Sequence, residues 1–226
     1  MSPGREAGAF SFLYKVGMLW LLPLAALAAA APPAGPVPVQ LTTYATPSER
    51  DFGDDLTEKV QWKSPLDHKI HESLFVAGFA GRDSVDPVLP GVSGAAMEGA
   101  GLIDPMLHAL DPDLGPMIRL GYRFLTLDSW NERARRAYFS LAKSPLAADG
   151  HSLAPGVSAA VRPRNKLFPR GRLVRLVCGG KPIGDRLIHD TCSSCKDDRH
   201  IDLYVAASTT TVDFPADCTA ELLPRK

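Results

Sequence analysis

Short apolar runs, most of four to seven residues, are separated by turn-forming residues from one end of the chain to the other, and they constrain the fold most. The 226 residues include 19 Gly and 20 Pro. Each interrupts regular structure, because glycine favours turns and proline cannot donate to a hydrogen-bond ladder. Runs this short suit strands joined by turns better than long packed helices. The pattern predicts strands over Val39–Ala45, Leu74–Phe79, Ala95–Glu98, Tyr122–Leu127, Val157–Val161, Leu173–Cys178, Arg186–His189 and His200–Ala206. Helix signals are few. Ser129-Trp130-Asn131-Glu132 fits a capping box, and Asp104 to Leu114 reads as a short helix before Gly115-Pro116. Many short strands in one domain predict an all-β barrel or sandwich.

The first 31 residues read differently. Arg5 and Lys15 precede an apolar run from Val16 to Ala31 that ends in small residues, and a Pro-rich spacer follows over 32–38. This is the layout of an export signal peptide, although an N-terminal membrane anchor reads similarly. The expectation is a monomer in the periplasm, cell envelope or extracellular space, with a folded domain over 39–207 and a tail over 208–226. Lys plus Arg total 25 and Asp plus Glu total 25. That balance argues against general nucleic-acid binding. No glycine-rich phosphate loop and no Gly-x-Ser-x-Gly is present. Neither a nucleotide, nor a cofactor, nor α/β-hydrolase chemistry is expected.

Four cysteines, Cys178, Cys192, Cys195 and Cys218, fall in the last quarter of the chain. In an exported protein they read as two disulfides, with three possible connectivities. A Cys192–Cys195 bridge would close a very small loop and suggest redox chemistry. Pairing either with Cys178 or Cys218 would pin the loop and the tail, and is the favoured reading, worth roughly 2–4 kcal/mol per bridge. Cys192-x-x-Cys195 is half of a zinc site, but no second close pair completes it, so no metal is expected.

The chemistry concentrates in Leu187 to Val205. Asp190 ends one apolar run and Asp202 lies inside the next, Ile201-Asp202-Leu203-Tyr204-Val205. A carboxylate in an apolar strand is costly unless paired or used. Two carboxylates at one site shift each other's pKa and can leave one protonated, as a general acid requires. The plainer alternative has Asp190 capping the loop while Asp202 pairs with Arg199 or His200. Arg162, Arg164, Lys166, Arg170, Arg172 and Arg175 form a run without an acid. It reads either as a basic groove wall or as a solvated strand face. Asp67-His68-Lys69-Ile70-His71-Glu72 matches no metal motif and reads as a surface loop.

The pattern H-D-T-C-S-S-C-x6-D-L-Y over 189–204 resembles the signature of the three-aspartate (3D) domain, the double-psi β-barrel of the lytic transglycosylase A family. Its cysteines resemble those of expansin and barwin-like barrels. Leu41-Thr42-Thr43-Tyr44-Ala45-Thr46-Pro47, Glu98-Gly99-Ala100-Gly101, Tyr138-Phe139-Ser140-Leu141, Pro145 to Pro155, Ser158 to Val161 and Phe168 to Gly171 follow the family's order. The resemblance implies a six-stranded double-psi barrel with a long inserted segment. It also implies peptidoglycan or a related wall polysaccharide as partner, and glycosidic cleavage of the lytic-transglycosylase type. A non-catalytic, expansin-like wall-binding module is the alternative it leaves. By position, Asp202 matches the catalytic acid/base, Asp190 its supporting aspartate, Thr43 a groove hydroxyl, and Tyr204 an aromatic for a sugar face. Arg162 and His200 join them as candidate substrate contacts. The sequence departs from the family at Arg162, which stands where the family has its first aspartate. It departs again at Cys192-Ser193, where the family has Gly-Gly.

Overall fold

The computed structural model describes residues 35–81, 94–131, 133–206 and 212–225. The leader expected over 1–31 lies outside them. In chain order the elements are β1 (Val37–Pro38), β2 (Gln40–Ala45), β3 (Leu56–Lys63), β4 (Ile70–Val76), α1 (Ala95–Glu98), β5 (Ala100–Leu102) and α2 (Leu114–Arg119). They continue with β6 (Phe124–Asn131), β7 (Arg136–Ala142), β8 (Ser158–Val161), β9 (Arg172–Cys178), β10 (Lys181–Thr191), β11 (His200–Ala206) and β12 (Cys218–Leu222). Two sheets result, one in the order β1-β12-β9-β10-β8-β11-β2 and one in the order β4-β3-β7-β6-β5.

The larger sheet closes on itself. Its outer strands, β1 and β2, are separated only by Val39, whose N–H donates to Cys218 O (2.9 Å), while Gln40 N–H donates to Arg199 O (3.0 Å). One continuous segment therefore pairs with β12 through its first residues and with β11 through the rest. Seven named strands occupy six positions of a closed barrel, the all-β, double-psi class that the sequence predicts. Closure leaves no unpaired edge to template aggregation. Two pairs run parallel, β2 with β11 and β8 with β10. The interior is filled by Val39, Leu41, Val161, Phe168, Val174, Leu176, Ile188, Ile201 and Leu203, among others. Along β9, Val174, Leu176 and Cys178 face in while Leu173 and Arg175 face water. At the β9–β10 hairpin Cys178 pairs with Lys181, and Gly179 and Gly180 have φ of 57° and 72°. A two-residue loop with positive φ at both positions suits glycine.

Residues 46–157 connect β2 to β8, and β3 to β7 within them build the second sheet around Trp62, Phe75, Phe79, Leu114, Leu125 and Phe139. Full burial of each such side chain stabilises the fold by about 1.5–3 kcal/mol. A 3₁₀ turn, Glu49–Phe52, places the Glu49 side chain inside this unit with no exposed surface. Its carboxylate accepts from the N–H groups of Val76 (3.1 Å) and Asp104 (2.9 Å) and meets His108 Nε2 (2.9 Å). Buried charge is tolerated when so fully partnered.

Several local expectations are corrected. Ala95–Glu98 is helical rather than a strand, because Gly94 caps it and Gly99 takes the left-handed conformation (φ 82°) that ends it. Ser129 to Asn131 extend β6 instead of starting a helix. The helix expected before Gly115 begins at Leu114 and contains Gly115 and Pro116, and the residues before it form turns. The cysteines pair as Cys178–Cys218 and Cys192–Cys195, so the 192–195 loop is not pinned to the tail. The reason is register: Cys178 and Cys218 face each other on paired strands, with Cα atoms 4.1 Å apart. No helix among the described residues is long and apolar enough to cross a membrane.

Candidate active site

Four neighbouring strands set four residues in one row. Asp190 of β10 is in register with Ala160 of β8, Ala160 with Asp202 of β11, and Asp202 with Thr42 of β2. Neighbouring strands lie about 4.8 Å apart, so the two aspartates, one strand removed, have backbones about 10 Å apart. Between them only the methyl group of Ala160 rises from the sheet. The resulting cleft, a cavity of about 60 Å³, is lined by Tyr44, Met97, Glu98, Ala160, Asp190, Asp202 and the 191–194 segment. Met97 and Glu98 come from α1, so the inserted unit supplies the facing wall. Larger hollows of about 380 and 450 Å³ lie on the five-stranded sheet, and neither is lined by Asp190 or Asp202.

Asp202 is 9 % exposed. Burial pushes its carboxyl pKa up and Asp190 adds to this, while the Thr42 hydrogen bond and His200 pull it back. Thr42 Oγ1 donates to Asp202 Oδ1 at 2.7 Å and lies 2.8 Å from His200 Nε2. His200 Nδ1 accepts from Lys196 N–H at 3.4 Å, which leaves Nε2 to donate to Thr42. Lys196, His200, Thr42 and Asp202 thus form one chain of donors ending on the carboxyl. Asp190 is held differently. Its Oδ2 accepts from Tyr44 Oη (2.8 Å) and its Oδ1 from the N–H groups of Ala148 (2.9 Å) and Thr191 (2.8 Å). Burial and the carboxylate of Asp190 together push the Tyr44 hydroxyl far above the usual tyrosine range, so it remains a donor.

Of the residues singled out by sequence, Asp190 and Asp202 share the cleft. His200 reaches Asp202 only through Thr42. The hydroxyl on Asp202 belongs to Thr42. Thr43 points the other way, accepting from Val212 N–H (3.3 Å), because successive strand residues alternate faces. Tyr204 is buried (3 % exposed), bonded to Thr46 Oγ1 and packed on Ala147 and Leu153, so the aromatic in the cleft is Tyr44. Arg162 lies outside the cleft lining and pairs with Asp198 at 3.5 Å. Thr42, Tyr44 and Glu98 are the residues that sequence reasoning missed. All three sit within the segments that carry the family resemblance; strand register selects Thr42 and Tyr44, whereas Glu98 is brought to the cleft by α1. Cys192, Cys195 and Asp202 bring their ligand atoms within 4.8 Å of one another. Both sulfurs are already joined in a disulfide, which leaves no thiolate for a metal.

No protein-family model and no curated protein matches the chain. Among solved structures it is similar to the lytic transglycosylase MltA of Escherichia coli with bound chitohexaose. That match has 12 % identity and a TM-score of 0.43, and covers 74 % of this chain and 64 % of that one. A membrane-bound lytic murein transglycosylase from Agrobacterium tumefaciens gives 14 % and 0.40, over 80 % and 72 %. The lytic transglycosylase LtgG of Burkholderia pseudomallei gives 13 % and 0.34, over 83 % and 70 %. The chain spans less than two thirds of the length of the chitohexaose-bound MltA chain.

Proposed function

We propose that this protein cleaves the glycan strands of a peptidoglycan-type wall polymer by a lytic-transglycosylase reaction, with Asp202 as its single acid and base. The observation that carries the reading is a buried carboxyl, inclined to keep its proton, facing a second carboxylate across a one-residue gap. In the first step Asp202 gives its proton to the glycosidic oxygen and the bond to the sugar C1 breaks. Asp190, fixed by Tyr44 and two backbone N–H groups, sets a negative charge towards the positive charge developing on the ring. In the second step the Asp202 carboxylate takes the proton of the muramic C6 hydroxyl as that oxygen closes on C1. The products are a 1,6-anhydro ring and a regenerated acid, and no water is consumed. A cavity of about 60 Å³ does not enclose a sugar ring, so the glycan lies across the open side of the cleft with the scissile oxygen at Asp202. Export goes with this reading, through the leader over 1–31 or an anchor made of it.

Purified cell-wall sacculi incubated with the protein, followed by mass analysis, test the proposal. Anhydro-terminated fragments are expected, and Asp202→Asn should lower their release by about 10²–10⁴-fold. Fragments with reducing ends would point to hydrolysis instead, and undiminished release by the variant would remove Asp202 from the mechanism. A second reading, a wall-gripping module without turnover, is favoured by Arg162 at the position where the resembling family keeps an aspartate. Retention on insoluble wall with no fragments released would select it.

A further inference from the structure

The two disulfides stand in different circumstances. Cys178–Cys218 ties paired strands and closes a separation of 40 residues, so it removes much loop-closure freedom from the unfolded chain. Cys192–Cys195 closes a separation of 3, where the loop-closure freedom removed is far smaller. Bracing is therefore a weak reason for the second bridge to exist. Its location is more informative. Cys192, Ser193 and Ser194 line the cleft with Asp190 and Asp202, and Ala160, the cleft floor, packs on both cysteines. Each sulfur lies within 4.8 Å of an Asp202 carboxylate oxygen. Cys192 and Cys195 are 6 % and 7 % exposed, and of the two only Cys192 borders the cleft. The neighbour of Cys195, Lys196, donates to His200, the start of the donor chain that ends on Asp202.

We propose that Cys192–Cys195 is a thiol–disulfide exchange site, entered through the cleft by a dithiol reductant, and that the bridged form is the one that holds the cleft competent for glycan. The second half rests on the function proposed above; the first half does not. A thiolate of the reductant attacks Cys192 Sγ, the S–S bond breaks, and its electron pair leaves on Cys195 Sγ, which takes a proton. The reductant's second thiolate then attacks its own sulfur in the mixed disulfide and releases Cys192, which takes a second proton. The protein gains two electrons and two protons, and the reductant becomes a disulfide. An oxidised dithiol carrier restores the bridge by the reverse exchange. Without the bridge the 192–199 loop is free to draw Lys196 away from His200, which loosens Thr42 and moves one wall of the cleft.

The test uses the full chain with graded dithiothreitol, trapping by iodoacetamide and peptide mass mapping. Cys192 and Cys195 are expected to be alkylated at least tenfold earlier in reductant concentration than Cys178 and Cys218. Simultaneous alkylation of all four, or Cys178 and Cys218 first, overturns the exchange site. In a second arm, oxidised, reduced and reoxidised protein are compared for chitohexaose binding and for fragment release from sacculi. A fall of about tenfold on reduction, recovered on reoxidation and reproduced by Cys192→Ser/Cys195→Ser, is expected. Equal binding and release in both states overturn the gating. Failure of every state to bind or cleave a glycan removes the proposed function, and gating with it, while the alkylation order still decides the exchange site.

Discussion

Ala160 separates two carboxylates on the strands that flank β8, and its single methyl group is what leaves a cleft between them. A larger residue would fill the gap while keeping the strand. Ala160→Leu is expected to fold at a cost of about 1–3 kcal/mol for overpacking against Cys192 and Cys195. It should lose at least tenfold in fragment release, and comparing denaturant midpoint with release rate separates the two effects. Unchanged release would mean that the glycan does not approach over Ala160. The chemistry of this row is legible in the amino-acid sequence, because an aspartate inside an apolar run needs a reason to be there. Its neighbours are not legible to the same degree. Choosing Thr42 over Thr43 needs the parity of the strand relative to the cleft, and choosing Tyr44 over Tyr204 needs to know what covers each ring. Residues one apart face opposite sides, and only register settles which side is which. Tyr44 and Tyr204 are cross-strand partners on one face, with ring centroids 5.4 Å apart, and only Tyr44 lines the cleft because Ala147 and Leu153 cover Tyr204.

Strands can be read from the sequence where their burial is continuous or cleanly alternating, as in β8, β9 and β11. β3 escapes such a reading because Glu58 falls on the face of Leu56, Val60 and Trp62 and breaks the apolar alternation to a stretch too short to see. α1 is misread for the opposite reason. A four-residue apolar segment is too short to show a period, and the flanking glycines decide its conformation. The 3₁₀ turn shows the same dependence on partners distant in sequence. Glu49 looks like an ordinary surface acid, yet in the fold it holds β4, the Asp104 turn and His108 together. Removing it strands two backbone N–H groups and a histidine in the interior. Glu49→Ala is expected to destabilise the protein by roughly 3–5 kcal/mol in urea unfolding. A change below about 1 kcal/mol would mean that those donors find other partners.

At the scale of the whole molecule, a closed barrel fixes two carboxylates rigidly while an insertion between β2 and β8 supplies the opposite wall. The barrel holds Asp202 in surroundings that favour its protonated form, and this has a thermodynamic signature. A carboxyl whose pKa is raised by folding binds its proton more tightly in the folded chain than in the unfolded one. Its contribution to stability is therefore greatest below the unfolded value of about 3.9. The contribution declines as pH rises through the window up to the folded value and stays level above it. Asp202→Asn, which can still accept from Thr42, lacks this decline. The variant should gain in melting temperature relative to the parent as pH is raised across that window, a stability gain at the expense of activity. The most direct test of the acid's state is a carbon-13 titration of the Asp202 carboxyl in labelled protein, assigned by its loss in the Asn variant. A midpoint above about 3.9 is predicted, whereas a midpoint at or below it would contradict Asp202 as the proton donor.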